Sequence, residues 1–186
     1  LEIKRVIEDC LRGKQGAWEM LVNAYAKKIF NLAYQFTGTY EDAEDMTQEI
    51  FLKLYGSLKK YDFEKNFSAW LLTLAKNHLI DSYRRTKWEK KGREEFGHHL
   101  LLLDASQGPE NQTIREESKR VIWESLNELS PEIRMCLILR EIQGKEYEEI
   151  AEIMNLPLGT IKSRINRGRL RLAEILKQKR ENKDGL

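Results

Sequence analysis

With 186 residues and 41% hydrophobic content, the chain can build one large core or two small ones. Its net charge is only +2, but the charge is segregated. No apolar run approaches the roughly 18–20 residues that a membrane helix needs, and Cys10, Cys136, His78, His98 and His99 show no zinc-site spacing, so membrane spans, disulfide frameworks and zinc modules are excluded.

Proline and glycine are sparse and β-branched alternation is absent, which predicts an all-α chain. Helical periodicity covers about 2–11, 15–36, 40–55, 67–90, 115–127, 131–142, 146–154 and 160–180. Thr39 followed by Asp42 resembles a capping box, and Ser130-Pro131-Glu132 places a cap, a first-turn proline and a first-turn acid in order. Between 92 and 114 the periodicity fails around Gly108-Pro109, which predicts a linker carrying the apolar run Leu100–Leu103. The expected organisation is therefore two small helical domains, 1–91 and 115–180, joined by a flexible linker, 92–114, with a short tail at 181–186. Free buried thiols, surface histidines and a cytoplasmic setting complete the expectation, with no cofactor or metal.

In residues 42–55, DAEDMTQEIFLKLY, the apolar stripe is Ala43, Met46, Ile50 and Leu54, broadened by Phe51 and Tyr55. Residues 41–49 hold five acids and no base, and an acidic face with nothing local to neutralise it suits a basic protein partner. Next, the loop Asp62–Asn66 precedes a helix that Ser68 can cap, with Phe63, Phe67 and Trp70 at its mouth. Such rings are core residues in most proteins, but they are also platforms on which unstacked bases lie. The same helix ends in Arg84, Arg85, Lys87, Lys90, Lys91 and Arg93, cations suited to phosphates.

Residues 146–176 read as a helix-turn-helix. Ile150, Ala151 and Met154 share a face of the first helix, Asn155-Leu156-Pro157-Leu158-Gly159 forms the turn, and Thr160 is placed to cap the second helix. Ile161, Ile165, Leu172 and Leu176, with small Gly168 among them, face a core. Residues 160–180 hold eight Lys/Arg and one acid, Glu174, an excess that local i,i+4 pairs cannot absorb.

The ordered set DAEDMTQEIFLKLY, then FSAWLLTLAKNHLIDSYRR, then LNELSPEIRMCLILREIQGKEYEEIAEIMNLPLGTIKSRINRGRLRL resembles the bacterial sigma factors of the extracytoplasmic-function (ECF) type. The resemblance covers both domains. It implies sigma region 2 and sigma region 4 joined by a linker. It also implies binding to core RNA polymerase and promoter-specific initiation. Carried onto matching positions, Asp42, Asp45, Gln48, Glu49, Phe51 and Leu52 would meet the β′ clamp helices, and region 4 the β flap. Phe63, Asn66, Phe67 and Trp70 would serve capture of a flipped −10 base, with Asn77, Asp81, Arg84 and Arg85 on the adjoining duplex. Thr160, Lys162, Ser163, Asn166 and Arg167 would read the −35 element, with Arg164 and Arg169 nearer phosphate. Asn166 stands where some relatives carry an aromatic residue. A cognate anti-sigma factor is an implied partner, and membrane insertion is not. A stand-alone helix-turn-helix regulator binding as a dimer is the alternative, although the chain has no heptad repeat for it. An enzyme lacks support, since no nucleophile–base pair or phosphate-binding glycine loop is present.

Overall fold

The computed structural model describes residues 2–90 and 120–184. The expectations for 92–114, with His98, His99 and Leu100–Leu103, lie outside the described residues, as do the basic side chains at Lys87, Lys90, Lys91 and Arg93. Every regular element described is helical: α1 (Glu2–Leu11), α2 (Ala17–Thr37), α3 (Tyr40–Ser57), α4 (Phe67–Lys90), α5 (within 120–127), α6 (Pro131–Leu137), α7 (Tyr147–Met154) and α8 (Leu158–Asp184). A single 3-10 turn, Leu58–Lys60, follows α3, and the helix of α6 runs on as a π turn, Ile138–Ile142.

The first four helices pack around Ile7, Leu21, Ile29, Leu32, Phe36, Ile50, Leu54, Leu71 and Leu79, all at most 1% exposed. Burying each such side chain is worth about 1.5–3 kcal/mol. Gly38, left-handed at φ 88, ends α2, and the next residue, Thr39, caps α3. Its hydroxyl accepts the Asp42 N–H at 3.2 Å and meets Asp42 Oδ2 at 2.7 Å, the cap expected there. At α4 the cap differs from expectation. Asn66 Oδ1 accepts the Ala69 N–H at 3.1 Å, while Ser68, already inside the helix, takes the Lys28 ammonium on its Oγ.

In the second unit, Met135, Ile138, Leu139, Ile150, Ile161 and Ile165 are fully buried. Ser130 caps α6 through the Ile133 N–H at 3.4 Å, and a reciprocal box that the sequence reading did not identify joins Glu146 and Glu149 at the start of α7. The turn into α8 is made by Asn155, left-handed at φ 54, rather than by Gly159. Asparagine tolerates that conformation better than most residues. Pro157 then starts α8, its carbonyl accepting from Thr160 and Ile161, so Thr160 lies in the first turn and is not the cap. The helix reaches Asp184, so residues 181–184 continue it, and Ile175 rather than Leu176 takes the fully buried position.

The two units lie against each other. Trp123 of α5 stacks under Gly38 and meets Tyr34 edge-on at 6.5 Å. Gln143 donates to Gln35 at 3.0 Å, Arg84 pairs with Glu132, and Arg134 donates to the Phe36 carbonyl.

Gly168 marks the closest approach of α8 to α6, where an added Cβ would sit 2.7 Å from Ile133 Cγ2 and 3.1 Å from Leu137. Gly168→Leu is therefore expected to destabilise the fold by about 1–3 kcal/mol through overpacking. Thermal unfolding of the full chain checks this, and an unchanged transition contradicts the close crossing.

Candidate nucleic-acid and partner interfaces

α3 has one inward and one outward side. Ala43, Ile50 and Leu54 are wholly buried, which turns Glu41, Asp42, Glu44, Asp45, Gln48 and Glu49 to solvent. Phe51 is 8% exposed and belongs to the core, as its place in the apolar stripe predicts, so the polymerase contact that the resemblance implies for it is not at the surface. Leu52 is 73% exposed and Tyr55 70%, so two large apolar side chains stand among the acids. Tyr55 was expected to widen the inward stripe; its exposed ring meets Trp18 edge-on instead. An exposed apolar pair bordered by unneutralised carboxylates is a surface suited to a partner that brings cations and an apolar pocket.

Beneath this face lies His78, at 1% exposure and not on the surface as expected. Its Nε2 is 2.8 Å from Glu49 Oε2, but off the hydrogen-bonding direction, and neither ring nitrogen has an aligned partner. Burial lowers its pKa, Lys53 and Arg85 lower it further, and Glu49 opposes them.

The loop before α4 gathers aromatic rings. Phe67 is the hub, 4% exposed, with Tyr25 and Tyr61 at 5.2 Å and Trp70 at 5.8 Å. It is core, and no base can stack on it. Phe63 and Trp70 are half-buried at the rim of the same cluster, 5.3 and 5.2 Å from Tyr61. Asn66 is exposed but spends its Oδ1 on the cap of α4. Exposed Lys59, Lys60 and Lys65 flank the loop, cations that the sequence reading passed over because they lie outside the helix pattern.

Along α4, Asn77, Asp81, Arg84 and Arg85 are all exposed. Asn77 Oδ1 accepts from Lys76 Nζ at 2.6 Å, and Arg84 is held by Glu132 of the second unit. Lys76 itself is 7% exposed, and burial lowers its pKa.

On α8, Lys162, Ser163, Asn166, Arg167 and Arg169 share the exposed face, while Thr160 is half-buried in the first turn. Arg164 does not join them. It is half-buried beside Cys136, whose thiol is pushed up to about 11 chiefly by burial, with Arg164 opposing. Cys136 is the buried free thiol expected, whereas Cys10 is only half-buried. Arg169 is tied to Glu141 at 2.6 and 2.9 Å. Tyr147, at the start of α7, lies under Arg140 at 4.7 Å and near Lys162 at 6.0 Å, so one ring steadies two cations of this face. An exposed helix face with unpaired hydrogen-bonding side chains near its start has the form of a recognition helix.

These features together define a two-unit all-helical protein with a helix-turn-helix in its second unit, exposed cations on α4 and α8 and an acidic face on α3. Family models agree: Sigma-70 region 2 matches residues 21–89 and Sigma-70 region 4 matches residues 119–172. The chain is 32% identical over 181 residues to the ECF RNA polymerase sigma factor SigW of Bacillus subtilis, covering 94% of this chain and 97% of that one. It is 33% identical over 171 residues to the ECF RNA polymerase sigma-E factor of Escherichia coli, covering 88% of each. Among solved structures, the sigma factor RpoE of Bartonella quintana, in complex with the anti-sigma factor NepR, aligns with a TM-score of 0.67 at 26% identity, over 87% of this chain and 98% of that one. CnrH, in complex with the cytosolic domain of CnrY, shares the fold at a TM-score of 0.65 and 21% identity, over 93% and 96%. The chain belongs to the ECF RNA polymerase sigma factors. Among the described residues, no helix is long and apolar enough to cross a membrane.

Because the folded-state pKa of His78 lies below the ordinary histidine value of 6.5, the native state binds fewer protons there than the unfolded chain. The stability this provides is fully present above about pH 6.5, the unfolded value, and is lost as pH falls below it through the lowered folded-state pKa. Urea unfolding at about pH 8 and about pH 5.5 should show a lower midpoint in acid, with a smaller difference in His78→Leu. An equal pH difference in parent and variant would place the titrating group elsewhere.

Proposed function

We propose that the two units divide promoter recognition between them while the acidic face of α3 anchors the protein to core RNA polymerase. Residues 1–91 form the polymerase-binding and −10 unit, and residues 115–180 the −35 unit, with 92–114 as the tether and 181–186 the tail. The observation that carries this reading is charge segregation. Acids and two exposed apolar side chains occupy α3, while cations and amides occupy the outward faces of α4 and α8.

On this reading Asp42, Asp45, Gln48, Glu49 and Leu52 meet the β′ clamp helices, and the β flap receives the second unit. Phe51 supports that face from below. At the −10 element, extruding a base costs a few kcal/mol of stacking and pairing. Stacking on an aromatic side chain returns roughly 1–3 kcal/mol, and Phe63 and Trp70 are the rings at the surface to supply it. Lys59, Lys60, Lys65, Arg84 and Arg85 add phosphate contacts, which release counterions and make binding salt-dependent. At the −35 element Lys162, Ser163, Asn166 and Arg167 approach base edges, and Arg169 approaches phosphate. The protein supplies binding energy and no chemical step, and it works in the cytoplasm beside the polymerase. The sigma factors aligned above stand in complexes with protein partners, one of them named as an anti-sigma factor. A cognate anti-sigma factor is the corresponding partner proposed for this chain.

Asp45→Lys and Leu52→Ala alter exposed side chains without touching the core. Each is expected to weaken affinity for core polymerase by about 1–2 kcal/mol, roughly five- to thirtyfold, with the thermal transition unchanged. Wild-type affinity in both variants would make the α3 face ordinary solvated surface. Arg167→Ala is expected to cost about 1–3 kcal/mol at a preferred −35 element and to relax preference at one base position. A uniform loss across −35 variants would assign Arg167 to phosphate instead.

A further inference from the structure

One polar side chain stands in an apolar slot directly beneath the acidic face of α3. On α4 the positions turned to the core include Leu71, Ala75 and Leu79, each at most 1% exposed. His78 lies one turn beyond Ala75 and is equally buried, at 1%. A leucine there would fill the space without giving up hydrogen bonds to water, whereas the imidazole brings a donor and an acceptor to desolvate. Neither ring nitrogen has an aligned partner, yet Nε2 stands 2.8 Å from Glu49 Oε2 on α3, and the Glu49 side chain is 49% exposed. The other acids of this face are placed differently. Asp42 is turned onto the Thr39 hydroxyl by the helix cap, and Glu41, Glu44 and Asp45 have no side-chain hydrogen bond or ion pair among the described residues. Glu49 is the acid with a buried polar ring behind it.

We propose that His78 is a positioning residue for polymerase docking: from the core beneath α3 it holds the Glu49 carboxylate at the surface, in place for a cation of the polymerase. The inference rests on the docking reading above, since it takes Glu49 as a polymerase contact.

Side-chain freedom supports it. A glutamate on an exposed helix face samples many rotamers, and pairing across an interface immobilises it at a cost in affinity. A carboxylate drawn to a buried ring by one oxygen has lost part of that freedom before the partner arrives. The ring is fixed by its packing, so alignment of the pair falls to the half-exposed carboxylate. Charge acts in the same direction. The groups acting most strongly on His78 are Glu49 and Lys53 from α3 and Arg85 from α4. Burial and the two cations hold its pKa below the ordinary value, so the ring is neutral at neutral pH and leaves the Glu49 charge to the partner. A cation arriving at Glu49 cancels the group that favours the imidazolium. Docking therefore lowers the pKa of His78 further, which sets the sign of the linkage. Affinity is full above about pH 6.5 and falls as pH drops through the lowered folded-state pKa.

The test is a double-mutant cycle on the full chain, read as affinity for core RNA polymerase at about pH 7.5 and about pH 5.5. His78→Leu fills the slot with an apolar side chain, and His78→Gln keeps an amide donor that does not titrate. At the higher pH, His78→Leu is expected to weaken binding about three- to tenfold when Glu49 is present and to have no effect in a Glu49→Gln background. His78→Gln is expected to recover most of that loss. Between the two pH values the parent is expected to lose about two- to tenfold more affinity than either His78 variant. An equal loss from His78→Leu with and without Glu49, or no loss at all, overturns the positioning role. Where His78→Leu unfolds below the assay temperature, the parent and His78→Gln decide, and the same pH profile in both overturns it. Glu49→Gln with the parent's affinity contradicts the docking reading of Glu49 itself, and the positioning role falls with it.

Discussion

A guanidinium buried to 1% exposure would be ruinous if left unpaired, and Arg134 shows what offsets the cost. Three backbone carbonyls accept its N–H groups, and two aromatic rings present their faces to it. Two of those carbonyls, Leu126 and Asn127, lie at the end of α5, where a helix leaves acceptors unsatisfied. One side chain therefore closes α5, fixes α6 and ties the second unit to the end of α2. Burial lowers its pKa, but arginine stays charged throughout the physiological range. Behind it, α6 runs on as the π turn, and α8 crosses α6 at Gly168 against Ile133 and Leu137.

The functional surfaces are what remains once the core is satisfied. α3 buries Ala43, Ile50, Phe51 and Leu54, and its acids are left outward because a carboxylate without a partner cannot enter a core. α8 buries Ile161, Ile165 and Ile175, so its cations turn to the opposite side. The same partition that folds each unit thus sorts its charge. One helix attracts a basic protein surface and the other attracts phosphate. The net charge of +2 conceals both.

Much of this was legible in the sequence, and the misses have physical causes. Period-3.6 patterning placed α2, α3 and α4 within a few residues, and Thr39 and Ser130 cap where their hydroxyls predicted. The turn after α7 was misread because Pro157 and Gly159 look like breakers. Proline is at home at the start of a helix, and the left-handed position fell to Asn155. Tyr55 and Phe67 sit at the margins of their apolar stripes, where periodicity does not say which way a ring turns. His78 and Arg164 face inward because of neighbours on other helices. The hydrogen bond from Arg134 to the Phe36 carbonyl joins residues 98 apart, and no local pattern announces such a pairing.

The most direct measurement is in-vitro transcription by bacterial core RNA polymerase on a promoter library, with and without the full chain. Initiation only in its presence, at sites sharing a −10 and a −35 element at fixed spacing, is the predicted result. Absence of initiation and of polymerase binding, with the protein alone binding duplex DNA tightly as a dimer, would contradict the account and identify a stand-alone regulator.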